Sequence, residues 1–267
     1  MSAPPPFIHA LRTGLAALVL LGSPVVLGLS AGSVAFAADE KPTIEELLNT
    51  TDDINRGESS EAVMVMDVKT KRFERSMKMR ALSKGTDNSL VTILEPAKDA
   101  GTTTLKVGDN LWNYLPKVDR TMKIPAGMMG GSWMGSHFSN DDLVKQSRMS
   151  EDYTAELKAE PTDEAPETHW VIELVPKPDA PVVWGKVVVT VTPEQVPVSI
   201  EYFDEKGALQ RTLAFSNVQE IDERKIPMTM TLTPEDKEGE YTKMTYETLD
   251  FGVELSDKQF TLQALKR

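Results

Sequence analysis

Residues 111–143 read LWNYLPKVDRTMKIPAGMMGGSWMGSHFSNDDL. The segment combines aromatic side chains and methionines with a run of glycines, and it contains few groups suited to catalysis. Glycine makes the loop around Trp133 permissive at an entropic cost, whereas Trp133, Met134 and Phe138 need burial. This composition is typical of a mobile flap over an apolar pocket and equally of a plug that fills the interior permanently.

A helix is predicted directly after this loop. Ser139 is a good N-cap residue, and Asp141 and Asp142 would lie in the first turn, where the helix dipole favours negative charge. Leu143 and Val144 would share one face of this helix. The loop and the helix could therefore move together as a unit.

The residues on either side of this block alternate between apolar and polar with a period of two, which predicts strands. Met228, Met230 and Leu232 share one strand face, and turn signals separate such runs. We expect about ten strands in sequential antiparallel order. The acidic, proline-containing stretch 160–167 is predicted to be a surface loop between two of them.

Helices are predicted near both ends of the domain. Thr43 to Glu46 forms a capping box, and Gly57 would close the helix that follows. Ser256 to Gln259 is a second capping box and predicts a short C-terminal helix. A closed antiparallel sheet of this strand number can enclose a ligand-sized interior, so the fold is expected to be mainly β and barrel-like.

Residues 1–37 resemble a secretory signal peptide. Arg12 precedes an apolar run from Leu15 through Leu29, and Ala35-Phe36-Ala37 matches a small-x-small cleavage site. A retained membrane anchor is the alternative, but Pro24 interrupts the apolar run and no charged flank follows closely. We therefore expect a domain over residues 38–267, located in the periplasm.

Composition narrows the functional classes. The chain has no cysteine, so neither disulfides nor a lipid-modified N-terminal cysteine can form. Its formal net charge of −12 argues against nucleic acid and against tight binding to anionic membrane surfaces. Its 13 methionines are abundant for this length, and flexible thioethers suit surfaces that accept variable apolar shapes, although they also fill ordinary cores.

The sequence does not predict an enzyme, a cofactor or a resident metal. His137 and His169 lie in no recognisable nucleophile, metal-ligand or phosphate-loop motif. One metal alternative remains, namely Cu(I) capture by the thioethers of the loop, since thioethers suit that soft ion. Its candidate ligands are Met122, Met128, Met129, Met134 and His137.

The motifs of residues 111–153, namely WNYLPK, DRTMKIP, SWMGS and NDDLVK, closely resemble those of the outer-membrane lipoprotein-sorting proteins, relatives of the periplasmic carrier LolA and its receptor LolB. The resemblance is to a divergent branch and is specific only in this central block. It implies an incomplete, strongly curved antiparallel β barrel, with a few helices forming a lid over a hydrophobic cavity. The absent cysteine distinguishes the chain from a receptor anchored by its own lipid.

The same resemblance implies a carrier that sequesters lipid or lipoprotein acyl chains and passes them to an envelope export transporter or an outer-membrane acceptor. We expect a monomer that binds no nucleic acid. A structural accessory module of an export complex, with a plugged interior, is the remaining alternative. The predicted ligand-contacting residues are Trp112, Tyr114, Ile124, Met128, Met129, Trp133, Met134, Phe138 and Leu143.

Overall fold

The capping box at Thr43 begins the first helix, as the sequence predicts. In the computed structural model, which describes residues 41–145 and 149–266, α1 spans Ile44–Asp53. The Glu46 N–H donates to the Thr43 hydroxyl (3.2 Å), and the Thr43 N–H donates to the Glu46 carboxylate (2.8 Å). Gly57 follows at a φ of 58°, a left-handed conformation that glycine adopts without steric cost.

The rest of the described chain is mainly strand. Its thirteen strands are β1 (Ser59–Lys69), β2 (Glu74–Lys84), β3 (Asn88–Glu95), β4 (Thr103–Val107), β5 (Asn110–Leu115), β6 (Arg120–Lys123), β7 (Tyr153–Ala159), β8 (Trp170–Pro176), β9 (Lys186–Val191), β10 (Pro197–Phe203), β11 (Leu209–Ile221), β12 (Arg224–Pro234) and β13 (Tyr241–Phe251). This is more than the sequence predicts, because β4 and β6 have only five and four residues. Strands this short give the alternation too few positions to be recognised.

All thirteen strands belong to one antiparallel sheet, in the order β6-β5-β4-β3-β2-β1-β13-β12-β11-β10-β9-β8-β7. Strands that are consecutive in the chain are neighbours in the sheet, except β6 and β7, which form its two edges. β1 pairs with β13 in the middle, and the chain crosses from edge β6 to edge β7 through residues 124–152. The sheet is therefore a barrel that does not close.

Burial reveals the curvature of this sheet. One core cluster contains Met79 of β2, Trp170 of β8 and Val189 of β9, although these strands lie in different halves of the sheet. Leu47 of α1 and Trp133 belong to the same cluster. The sheet thus curls strongly around a single concave face, as the predicted fold requires.

Two short helices follow β6. α2 spans Asn140–Lys145 and α3 spans Met149–Asp152. Asp142 donates its backbone N–H to the Ser139 hydroxyl (3.1 Å), which confirms the predicted cap. α3 contacts α1, and both contact β7, so the helices cover the concave face near the open edge.

The outer face of β2 to β5 is also covered. Leu82, Leu90, Leu105 and Trp112 oppose one another across these four strands and therefore share one face. We call the packed group of Leu82, Leu90, Leu105, Val107, Trp112, Tyr114, Leu255, Phe260 and Leu265 the outer cluster. The C-terminal residues of this cluster lie on and around two 3-10 turns, Asp257–Gln259 and Ala264–Lys266, rather than on the predicted helix, although the capping box at Ser256 is present.

Candidate functional site

An apolar cavity of about 180 Å³ lies between the concave face of the sheet and the helices α1 and α2. Its volume is similar to that of an engineered apolar cavity of roughly 150 Å³ that stays dry and binds benzene. Strands β1 to β4 and β10 to β13 contribute to its lining. The cavity is therefore bounded by both halves of the curved sheet.

Methionines contribute to the cavity floor. Met66 opposes Met77 on one side and Met244 on the other, and Met244 opposes Met230. Opposed residues share a sheet face, so this row of thioethers runs across four strands. Met64, Met230 and Met244 line the cavity directly. Unbranched thioethers re-pack readily around apolar groups of different shape.

Trp133 forms one wall of the cavity. It is 3% exposed and belongs to the main core. Its indole Nε1–H donates to the hydroxyl of Thr104, 3.1 Å away on β4. Leu143 of α2 lines the cavity beside it. The structure thus brings these two predicted site residues together on the side opposite the sheet floor.

The loop that carries Trp133 is held by polar contacts. The Trp133 N–H donates to the Phe138 carbonyl (2.8 Å). His137 bonds to Thr242 of β13. The Thr242 hydroxyl accepts from the backbone N–H of His137 (2.9 Å) and lies 2.8 Å from Nδ1 of its ring. The other ring nitrogen, Nε2, lies 3.1 Å from a carboxylate oxygen of Glu240. Met134 adopts a left-handed φ of 50°, an uncommon conformation for a residue with a side chain.

Polar residues line the cavity near the end of α1, and Asp52 is the buried acid among them. Burial raises the pKa of Asp52 to about 8, against the opposing effect of the Arg56 charge. One carboxyl oxygen, Oδ1, is buried without a hydrogen-bond partner among the described residues. Asp52 is therefore largely protonated at neutral pH, which makes the cavity less polar than its composition suggests.

The other predicted residues of the loop are divided between the core and the surface. Phe138 and Met134 pack with the main core, and Phe138 also borders an outer groove of about 580 Å³. Met129 borders the same groove, whereas Met128 is 60% exposed. Ile124 is half-buried after β6 and donates its N–H to the Leu111 carbonyl (2.8 Å).

Trp112 and Tyr114 lie elsewhere. Both pack into the outer cluster on the opposite face of the sheet. Lys123 lies over the Trp112 ring, 5.7 Å from its centroid, and Lys266 lies over the Tyr114 ring at 5.9 Å. The structure therefore separates these two rings from the cavity that Trp133 borders, because the C-terminal segment provides them with a second apolar surface.

The sequence did not single out the cavity floor or Asp52. Met230 lies in a predicted strand, on the face that the sequence predicts to be apolar. Alternation alone does not show whether a methionine on that face borders a cavity or lies in a filled core. Alternation likewise does not show that Met64 and Met244 border a cavity. Asp52 lies within the predicted helix, and no local pattern marks its burial.

The loop methionines do not converge on one ion site. Met128 is exposed, Met129 borders the groove and Met134 packs against the core. Both ring nitrogens of His137 already have oxygen partners. Within residues 41–145 and 149–266, moreover, no group of three or more His, Asp or Glu side chains is arranged to hold a metal ion.

The predicted signal peptide over residues 1–37 lies outside the described residues. None of the helices in the described part of the chain has the length and apolar character needed to cross a membrane. The described residues all belong to one compact unit, which begins at Lys41.

Comparison with known proteins identifies the fold. A family model described as "uncharacterized protein" matches residues 85–267. A domain from Vibrio parahaemolyticus named for outer membrane lipoprotein sorting is 27% identical, with a TM-score of 0.68 over 81% of this chain and 95% of that one. A LolA superfamily protein from Nitrosomonas europaea is 25% identical, with a TM-score of 0.68 over 84% of this chain and 99% of that one.

A third structure shares the fold. It is a DUF1329 family protein from Desulfovibrio piger, 24% identical, with a TM-score of 0.71 over 82% of this chain and 96% of that one. A search of curated protein sequences finds no significant match. The solved structures thus agree with the curved, incomplete barrel described above.

Proposed function

The chain belongs to the LolA superfamily of outer-membrane lipoprotein-sorting proteins, as a divergent branch, and we propose that it is a periplasmic carrier of lipid or lipoprotein acyl chains. In this proposal it takes acyl chains into the cavity above the methionine floor and passes them to an envelope export transporter or an outer-membrane acceptor. It breaks no bond. The observation that carries the proposal is the apolar cavity enclosed between the sheet, α1, α2 and Trp133.

The energy of such binding comes from moving methylene groups out of water. Each buried methylene contributes about 0.8 kcal/mol, so a chain is held until a partner with higher affinity takes it. A cavity of about 180 Å³ accepts only part of a long chain. Longer chains therefore require Trp133 and α2 to shift and the floor methionines to re-pack.

Saturable binding of a fluorescent fatty acyl probe tests this proposal. We expect the affinity to rise roughly fourfold per added methylene until the cavity is full, because about 0.8 kcal/mol corresponds to that ratio. Unlabelled cargo lipid should compete. Mass spectrometry of lipid that co-purifies with the protein from its native envelope would identify the cargo.

One variant tests the role of the cavity, and a second is its control. Ala62 is 3% exposed and lines the cavity, so Ala62→Leu should fill part of it and weaken binding of long probes. Val218 is 50% exposed on β11, and Val218→Leu should leave binding unchanged. No saturable binding at any chain length would remove the carrier function and leave the plugged accessory module as the alternative.

A further inference from the structure

A buried ion pair joins the sheet to α2. Arg211 of β11 donates from Nη2 to Asp142 Oδ1 (2.6 Å) and from Nη1 to Asp142 Oδ2 (2.8 Å), so the pair is bidentate. The two side chains are only 10% and 15% exposed. Burying such a pair costs desolvation that an apolar contact would avoid, so the pair is weak evidence for a stabilising role.

The sheet holds the guanidinium independently of Asp142. The Arg211 Cζ atom lies 4.3 Å from the ring centroid of Tyr202 and 4.6 Å from that of Trp184. These two rings come from β10 and the segment before β9, and they contact each other at 5.2 Å. Aromatic faces favour a cation at these distances. Arg211 is therefore a preorganised receptor for a planar anion, and Asp142 supplies that anion from α2.

The ion pair stands between the apolar cavity and the outer groove. Asp142 lines the cavity, whereas Arg211 and Trp184 line the groove of about 580 Å³. Lys237 adds a second cation to this groove, where Asp141 is the acidic residue and the Glu240 carboxylate engages His137. Asp142 neutralises Arg211, so the groove lining has one further cation, Lys237, and one further acid, Asp141, in a chain whose formal net charge is −12.

We propose that Arg211 is the receptor for an anionic headgroup of the cargo and that Asp142 is its internal substitute. This inference rests on the proposed carrier function and names the cargo class, which is an acyl lipid bearing a carboxylate or phosphate. An acyl chain in the cavity places its headgroup beside the ion pair. The headgroup then takes the two guanidinium donors from Asp142, and α2 is released.

The exchange leaves neither Arg211 nor Asp142 without a hydrogen-bond partner. One anion replaces another on Arg211, so the guanidinium stays paired. Its Nε, which is buried without a hydrogen-bond partner among the described residues, offers a further donor to a phosphate. Asp142 keeps a partner after release, because its Oδ2 also accepts the Ser139 N–H at the start of α2 (2.7 Å).

The test compares three probes of one chain length: oleate, oleyl alcohol and oleoyl lysophosphatidic acid. Each displaces a fluorescent acyl reporter from the full domain at neutral pH. In the wild type we expect both anionic probes to bind more tightly than the alcohol. Asp142→Asn removes the competing carboxylate and should tighten the anionic probes about tenfold, the scale of a hydrogen-bonded charge, without changing the alcohol.

The double variant Arg211→Gln with Asp142→Asn leaves no unpaired charge and therefore protects folding. It should bind the alcohol as the wild type does and lose the preference for the anionic probes. Inorganic phosphate alone should not displace the reporter; displacement would make this a free-anion site and overturn the lipid assignment. If all three probes bind equally in every variant, the headgroup receptor is wrong although the carrier stands, whereas no saturable binding of any probe refutes the carrier itself.

Discussion

Trp133 and Thr104 are joined by a hydrogen bond across the cavity wall, with the indole Nε1 3.1 Å from the hydroxyl oxygen. Thr104 in turn donates to the Asn113 side-chain carbonyl (2.7 Å). Trp133 comes from the loop, whereas Thr104 and Asn113 come from β4 and β5. The contact therefore has to break whenever the loop moves off the sheet.

Replacing Trp133 separates a lid from a plug. Trp133→Ala should lower the free energy of unfolding by about 3–5 kcal/mol, because a buried indole leaves a cavity. Trp133→Phe should cost less than Trp133→Ala, because it keeps one aromatic ring and loses the Thr104 hydrogen bond and part of the buried volume. Denaturant unfolding measures both. For a lid, Trp133→Ala should also speed release of an acyl probe from the folded protein.

Met128 provides the matched control, because it lies in the same loop and is 60% exposed. Met128→Ala should change stability by less than about 0.5 kcal/mol. Large destabilisation by Trp133→Ala, with an unchanged release rate per folded molecule, would exclude the lid and favour the plug.

The contact between His137 and Thr242 gives a second prediction for the loop. Thr242 is fully buried, and its hydroxyl bonds to both the backbone N–H and the ring of His137. Thr242→Val keeps the shape but leaves those groups unpaired, which should cost about 1–3 kcal/mol. Thr248→Val, at an exposed position on the same strand, is the control. Equal denaturant midpoints for the two variants would contradict a structural role for this contact.

Local signals made much of the fold predictable. The capping boxes at Thr43 and Ser256 and the cap at Ser139 depend on residues within one turn, and all three are present. The resemblance of residues 111–153 supplied the curvature, which a period of two does not contain. Strand pairing between β1 and β13 joins distant parts of the chain and has no local signal.

The candidate site was predictable only in part. Alternation indicates that Trp112 and Tyr114 share a face, but it does not say which face. Both faces of the sheet are covered at β4. The Trp133 loop covers one face, and the C-terminal segment with Leu265 covers the other. Every residue from Thr103 to Lys106 is therefore buried. Only the tertiary structure decides which aromatic side chains reach the cavity.

Asp52 should make stability depend on pH. Burial raises its pKa from 3.8 to about 8, so the folded state holds a proton that the unfolded chain releases in this window. Stability should therefore fall as pH rises from about 4 to about 8, with a slope of at most about 1.4 kcal/mol per pH unit from this group. Asp52→Asn should remove that slope and be more stable than the wild type at pH 8.

Urea unfolding of the wild type and of Asp52→Asn from pH 4 to pH 9 provides the measurement. Only the difference between their free energies of unfolding reports on Asp52. Asp236→Asn is the control, since Asp236 is exposed and is not among the charges that act on Asp52. A difference between Asp52→Asn and wild type that does not vary with pH would show that Asp52 is ionised in the folded protein.

The outer cluster gives the last prediction. Leu265 is 1% exposed and packs against the outer face of β4, whereas Leu262, three residues earlier, is 50% exposed. Leu265→Ala should lower the free energy of unfolding by about 2–5 kcal/mol, and Leu262→Ala should change it by less than about 0.5 kcal/mol. Because the cluster lies across the sheet from the cavity, neither variant should alter acyl-probe affinity per folded molecule. Weaker binding by Leu265→Ala alone would mean that the outer cluster, with Trp112 and Tyr114, is coupled to the ligand site after all.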